Sequence, residues 1–289
     1  MNELILVTGA TGTIGKEAVK QLILAKARVR AGIYNNNEVN NIDVAGVEFV
    51  EFDFHNLDSM NSALTGVDKV FLITPFVEDM VQMTMNFVNI AKTKNIKHIV
   101  RLSMMGADNA SQTSTLRMHK ECEDIIANSG IPYTILRPNW FMQDFLNYAP
   151  TIKNPGTYYA PINLKGSISF VDARDVATIG ALALIGTNPG VGGVYVLTGI
   201  QSFTHRQVED NFAFVLTKRV IFHEIKDEEY ALKMKSYGLT DWQIKALLEL
   251  YDEAETGTFS EIVSTTADIL EKKPETFKTF VKAYAKTFR

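Results

Sequence analysis

Cysteine is almost absent from this chain of 289 residues, with Cys122 the only one. A lone cysteine forms no internal disulfide, which excludes the stapled secreted scaffolds and fits a reducing compartment. Long apolar runs are missing too. The longest stretch without Asp, Glu, Lys, Arg or His, residues 176–204, is broken by Asn188-Pro189-Gly190 and Gly192-Gly193. Nothing reaches the roughly 20 apolar residues of a spanning helix. Neither sign of charge dominates, since 29 Lys+Arg against 33 Asp+Glu leave −4. A nucleic-acid-binding face, which is usually basic, is therefore not expected. Met1-Asn2-Glu3 lacks the basic segment of a signal peptide. The expectation is a cytoplasmic protein with neither a membrane nor a direct nucleic-acid partner. The histidines at 55, 98, 119, 205 and 223 have no metal-ligand spacing. His119 and Cys122 share a helix face, but two ligands do not make a zinc site, so no metal is expected. A G-x-S-x-G elbow is also lacking, which argues against a serine hydrolase.

What is present is an ordinary globular balance, 46% apolar and 21% charged. A chain of this length forms one large domain or two intimate ones. Its first half alternates. Short apolar runs at 4–8, 28–33, 47–52, 70–74, 99–103 and 133–136 read as buried strands. Between them lie helical patterns near 18–23, 57–64, 80–94 and 116–128, the last with Gly130 at its C′ position. The stripe Met80, Met83, Phe87, Ile90 and Ala91 suits intramolecular packing, or the contact of a possible homodimer. This rhythm predicts an α/β fold, a Rossmann doubly wound parallel sheet.

After Asn139 the rhythm changes. Strands are expected at 167–171 and 194–198, with a helix over 174–184 between them. Capping boxes at Thr204 to Gln207 and Thr240 to Gln243 open two further helices, and a last one starts near Pro274. The division expected is 1–150 for a nucleotide-binding Rossmann domain and 151–289 for a smaller, mostly helical substrate-side cap. About 174–200 would return to the Rossmann sheet.

Gly9-Ala10-Thr11-Gly12-Thr13-Ile14-Gly15 sits between the first strand and the first helix. Gly9 permits a tight turn, Gly12 lets a pyrophosphate approach the backbone, and Gly15 lets the helix pack on the sheet. The helix N-terminus offers free N–H groups to the phosphates. The spacing is G-x-x-G-x-x-G, and its place in the chain makes it a dinucleotide loop. The second strand ends at Ile33 with Tyr34-Asn35 beyond it, and Glu38 comes late. Neither the acid of NAD sites nor the arginine of NADP sites stands there, so NADP and NAD both stay open.

The chain resembles the NmrA-like branch of the atypical short-chain dehydrogenase/reductases. The likeness rests on Val7 to Gly15, Phe52-Asp53-Phe54, Leu72-Ile73-Thr74-Pro75, Leu102-Ser103, the stretch from His119 to Ile126, Gly130 to Pro138, and Phe170 to Ala177. That branch includes quinone and triphenylmethane-dye reductases and redox-sensing regulators. The resemblance implies that Thr11, Gly12, Thr13, Ile14 and Tyr34 contact the dinucleotide and that Asp53 and Phe54 lie against the adenine. It also implies that Thr74, Pro75 and Ser103 approach the nicotinamide half, and that Asn139, Trp140 and Phe141 face the substrate. The bland alternatives are a turn cap for Asp53, a turn hydroxyl for Ser103, and core packing for Trp140 and Phe141.

Short-chain dehydrogenases usually carry Tyr-x-x-x-Lys after the fifth strand, the lysine lowering the tyrosine pKa. No tyrosine of this chain has a lysine four residues later. Aligning Glu123 with the acid that follows that lysine in relatives puts His119 at the lysine position and Thr115 at the tyrosine position. His119 is then a candidate hydrogen-bond donor or acid near neutral pH, or else a surface histidine pairing with Glu123. With Ser103 and Asn139 it completes the candidate catalytic set. A quinone or dye delocalises the incoming charge and needs no positioned acid. The expectation is therefore an NAD(P)H-dependent reductase of a quinone-like or conjugated small-molecule acceptor. A non-catalytic redox sensor of the same branch is the rival. A nucleoside-diphosphate-sugar epimerase is weaker, because it needs a tyrosine from elsewhere, such as Tyr133 or Tyr158.

Overall fold

The computed structural model describes residues 3–289 apart from 36, 38–41, 43, 108–112 and 162–165. Strand and helix alternate through β1 (Leu4–Val7), α1 (Thr13–Leu24), β2 (Arg28–Ile33), β3 (Val47–Glu51), α2 (Leu57–Ala63), β4 (Lys69–Leu72), α3 (Met80–Thr93), β5 (His98–Leu102), α4 (Ser114–Ala127) and β6 (Tyr133–Pro138). A 3-10 helix (Met142–Tyr148), α5 (Ala149–Lys153) and β7 (Thr157–Ala160) follow. Then come α6 (Ala173–Ile185), β8 (Val194–Leu197), α7 (His205–Leu216), β9 (Ile221–Glu224), α8 (Asp227–Ser236), α9 (Asp241–Glu255), α10 (Thr265–Leu270), α11 (Phe277–Ala283) and α12 (Ala285–Phe288).

Seven strands make one parallel sheet in the order β3-β2-β1-β4-β5-β6-β8, with helices on both faces. Every residue of β1 is buried, as a strand covered on both faces requires. The stripe of α3 is satisfied within the chain: Met80, Met83, Phe87 and Ala91 are buried, and Ile90 packs at the rim of the same core. The chain leaves the sheet after β6, builds part of the cap, and comes back as α6 against α1 and β8 beside β6. Asp172 caps α6. Gln143 bonds Asp172 Oδ1 and the Ala173 N–H, which fixes the 3-10 helix to the start of α6.

Three local expectations change. Residues 167–171 form no strand, only isolated bridges at Ile168↔Phe203 and Phe141↔Val171. Their backbone partners are divided, for the Ser169 N–H donates to Phe259 O instead of to a continuous neighbour. Gly130 takes φ +82 one position late, after Asn128 ends α4. The final helix breaks at Tyr284 into α11 and α12. Both capping boxes form, at Thr204/Gln207 and Thr240/Gln243.

The cap also contains a two-stranded parallel sheet, β7 with β9. Its core is aromatic. Phe145 meets Phe277 edge-on at 5.2 Å, and Phe212 meets Phe288 at 5.1 Å. Such pairs add to the burial of their area. The cap stands over the C-terminal ends of β4, β5 and β6, where open α/β sheets bind ligands. Among the described residues no helix is long and apolar enough to cross a membrane.

Candidate active site

The glycine loop is tied to the centre of the sheet. Thr8 Oγ1 donates to Ile73 O and accepts from the Ile73 N–H, both at 2.8 Å. Gly9 sits at φ +57, which favours glycine. A Cβ on Gly15 would lie 2.2 Å from Gly9 O and 2.7 Å from Ala10 Cα. Its bare Cα therefore lets the helix pack on the loop's own backbone, rather than on the sheet as expected. A Cβ on Gly12 would meet only Gly9 O, at 3.3 Å. The loop is open on that side. Gly12 supplies no side-chain cap, and the first turn of α1 has no acid. The N–H groups at Thr13 and Ile14 are left for an anion. The Thr13 side chain is exposed, Ile14 is buried and Thr11 half-buried.

Beyond β2, Tyr34 is 65% exposed. Glu38 lies outside the described residues. Asp53 follows β3 and its Oδ1 accepts from the His55 N–H at 2.9 Å, the turn cap named as the alternative. Phe54 turns inward, edge-on to Phe52 at 4.8 Å and beside Phe87. Its ring belongs to the core between sheet and helices.

A cavity of about 730 Å³ lies between the sheet ends and the cap. Thr74, Ser103, Thr115, His119 and Asn139 line it from the sheet side. Trp140, Tyr148, Tyr158, Tyr230, Tyr237 and Tyr251 line it from the cap side. Pro75 is exposed and outside its lining. Phe141 reaches the wall while bridging Val171.

Two of the candidate catalytic residues are committed elsewhere. Ser103 donates its hydroxyl to Glu123 Oε1. The same carboxylate takes a two-pronged pair from Arg137, at 2.9 and 2.6 Å. This trio is buried and knits α4 to β5 and β6, because a desolvated carboxylate and guanidinium each require a partner. Asn139 is equally occupied. Its Nδ2 donates to Ser169 Oγ at 2.7 Å and Phe259 O at 2.8 Å, while its Oδ1 accepts from the Trp140 N–H. It fastens the segment after α9 to the end of β6. Both are walls of the cavity, not groups with free protons to give.

His119 remains free in a different sense. Glu123 is taken, so the expected i,i+4 pair does not form. Burial, reinforced by the nearby Arg101 guanidinium, pushes the imidazole down to about 3. It is neutral at pH 7 and is not the near-neutral acid that the sequence suggested. Its Nδ1 is buried without a partner among the described residues, as are Thr74 Oγ1, Thr115 Oγ1 and Trp140 Nε1. Four cavity-lining residues thus carry unsatisfied polar atoms, a costly arrangement unless something else pairs with them. Thr115 was visible in the sequence only as the residue at the tyrosine position. Of the cap-wall tyrosines the sequence singled out Tyr158 alone, as a candidate for the epimerase reading. The clustering of tyrosines at 148, 158–159, 230, 237 and 251 was the available signal. Neither substitute tyrosine serves the epimerase reading. Tyr133 opens β6, at the end of the strand away from the cavity, and the Tyr158 hydroxyl donates to His205 O at 3.1 Å. Among the described residues no group of three or more His, Cys, Asp or Glu could hold a metal.

A family model described as the NmrA-like family matches residues 1–281. An NAD(P)H azoreductase from Xenophilus azovorans is 32% identical over 286 residues, 99% of each chain. The structure of an NADPH-dependent quinone oxidoreductase from Escherichia coli, complexed with NADPH, superposes with a TM-score of 0.84 at 26% identity. It covers 97% of this chain and 99% of that one. A Staphylococcus aureus nucleoside-diphosphate-sugar epimerase also reaches 0.84, covering 98% and 100%. At 21% identity that likeness shows the fold alone.

Proposed function

The chain belongs to the NmrA-like family, and from that premise we propose that it is an NAD(P)H-dependent reductase of a quinone-like, conjugated small acceptor. The observation that carries this reading is the cavity wall. Buried polar atoms of Thr74, Thr115, His119 and Trp140 wait there without partners, beside an aromatic space large enough for a planar acceptor.

The residues present fit a dinucleotide. Gly9, Gly12 and Gly15, with the N–H groups of Thr13 and Ile14, would hold the pyrophosphate at the uncapped start of α1. No carboxylate stands at position 34 or 35 to repel a 2′-phosphate, so NADPH is not disfavoured there. Thr74 Oγ1 would meet the nicotinamide half. When bound, the cofactor supplies a hydride.

The chain's own contribution is position and environment. Trp140, Tyr148 and Tyr251 exclude water and present flat apolar surface. Thr115 Oγ1 and the neutral His119 offer hydrogen bonds to the acceptor's oxygen or nitrogen. None of the wall histidines is protonated at neutral pH, so the acceptor itself must spread the incoming charge and take its proton from water. That requirement suits quinones and conjugated dyes and disfavours simple ketones. The uncommitted cavity favours turnover over a purely sensing role.

The test is oxidation of NADPH and NADH by the purified protein with a panel of quinones and dyes. Acceptor-dependent consumption supports the reading. Tight nucleotide binding with no turnover on any acceptor would replace it with the sensor.

A further inference from the structure

One carboxylate stands inside the aromatic part of the cavity. Asp144 is the third residue of the 3-10 helix, and its Oδ2 accepts from the Phe141 N–H at 3.2 Å. Among the described residues no other hydrogen bond reaches it. The residue is exposed, and it lines the cavity. Around it the wall is aromatic. Trp140 and Tyr251 lie 4.8 Å apart between ring centres, Tyr251 and Tyr230 5.5 Å apart. The charge of Asp144 is felt by Tyr148 and Tyr230, whose phenols it helps to hold protonated.

The rest of the lining sharpens the point. Among the described lining residues there is no lysine, no arginine and no second carboxylate. The two histidines, His119 and His205, are both pushed down to about 3 by burial and are neutral. At neutral pH the described lining residues therefore carry one formal charge, and it is negative. Desolvation by the surrounding walls pushes the Asp144 carboxyl up to about 6, and the anion remains the main form at pH 7. A helix-end cap does not need this charge, since an amide oxygen would serve. A carboxylate set among tyrosines and a tryptophan is an arrangement that recognises cations, through direct pairing and through the ring quadrupoles.

We propose that Asp144, with the rings of Trp140, Tyr230 and Tyr251, selects acceptors that carry a positive charge on the part of the molecule remote from the reducible group. This rests on the reductase reading for its kinetic form. The binding preference itself does not need turnover. The ligand class is a conjugated organic cation, such as an alkylammonium or iminium attached to the acceptor ring. Neutral acceptors enter the same space without the added pairing, and anionic ones are repelled.

The test uses one naphthoquinone ring bearing a trimethylammoniomethyl, a neopentyl or a carboxymethyl substituent. The first two have the same shape and differ in charge. The variant is Asp144→Asn, which keeps an oxygen for the Phe141 N–H. The native protein should favour the cation over its neutral isostere by about tenfold or more, chiefly in KM, and handle the anion worst. In Asp144→Asn the cation-to-neutral ratio of kcat/KM should fall about tenfold, while Asp144→Glu should retain much of the preference. The same three compounds are titrated by tryptophan fluorescence quenching without reductant, and the Kd ratio should fall with the kcat/KM ratio. If none of the quinones is reduced, the reductase reading fails and the titration alone decides the preference. A ratio unchanged in Asp144→Asn, or a uniform loss for all three compounds, would overturn the proposal and leave Asp144 a helix cap.

Discussion

Valine at Gly12 and alanine at Gly15 separate what the glycine loop does for binding from what it does for folding. At Gly15 the added methyl would sit 2.2 Å from Gly9 O and 2.8 Å from Gly9 C. Both are backbone atoms, so the turn must move by more than an ångström. Overpacking of this kind costs about 1–3 kcal/mol, offset by about 0.5–1 kcal/mol from replacing glycine inside a helix. The net loss is about 1–2 kcal/mol. At about 2–4 °C per kcal/mol, Gly15→Ala should lower Tm by roughly 2–8 °C. Gly12 has φ −78 and ψ 175, ordinary extended backbone, and its Cβ would touch only Gly9 O at 3.3 Å. Gly12→Val should therefore fold, losing about 1 kcal/mol because valine is a poorer N-cap than glycine. Its isopropyl group, however, would cover the N–H groups of Thr13 and Ile14. Losing two charge-assisted hydrogen bonds at about 1.5–3 kcal/mol each raises the Kd for NADPH by about 100-fold or more. Differential scanning fluorimetry and calorimetric titration with NADPH read the two effects. Gly12→Val binding NADPH within about threefold of the native protein would refute the phosphate assignment. An unchanged Tm in Gly15→Ala would refute the packing argument.

Three further outcomes follow from buried groups. Glu123→Ala leaves Arg137 buried without its carboxylate and should cost about 3–5 kcal/mol in urea unfolding, while Ser103→Ala, which removes one hydrogen bond to the same carboxylate, should cost about 1–3 kcal/mol. With a neutral quinone, kcat/KM of Asp144→Asn, which removes the one other group among the described lining residues that titrates near this range, should be flat between about pH 5.5 and 8.5, because His119 is pushed down to about 3 and does not titrate there; a step near the ordinary histidine pKa in that variant would contradict its burial. Asp175 is pushed up to about 6 by burial, while its Oδ2 accepts from the Glu275 N–H. A raised carboxyl contributes stability below its unfolded pKa of 3.8 and loses it as pH rises through about 6. Asp175→Asn, which never ionises, should thus gain about 1–3 kcal/mol at pH 7.5 and nothing near pH 3.5, read as the difference in urea midpoints.

The nucleotide half was legible because its signals are local. A buried apolar strand, three glycines at fixed spacing and a following helix occupy residues 4–24, and each implies the next. The cap was less legible. β7 and β9 are four residues each and pair across more than sixty residues, with no turn between them to announce the pairing. The catalytic candidates show the same limit more sharply. Ser103 and Asn139 stand where polar residues often meet a ligand, but their direction is set by distant groups. Glu123 is twenty residues from Ser103, and Phe259 is 120 from Asn139. No spacing rule reveals such partners. His119 was found by alignment of its helix, yet its charge state depends on burial and on Arg101, which belongs to another strand. Asp144 was missed although it is a single acid inside the run Trp140-Phe141-Met142-Gln143-Asp144-Phe145. An isolated charge among aromatics is a usable signal, and here it marks a lining residue.

The central claim is that the cavity beside the glycine loop is a site of turnover. The most direct measurement is anaerobic consumption of NADPH with and without a quinone, in the native protein and in Gly12→Val. The account predicts quinone-dependent oxidation in stoichiometry with hydroquinone formed, lost in the variant while it stays folded at the assay temperature. Native protein that binds NADPH but leaves every quinone oxidised would contradict it.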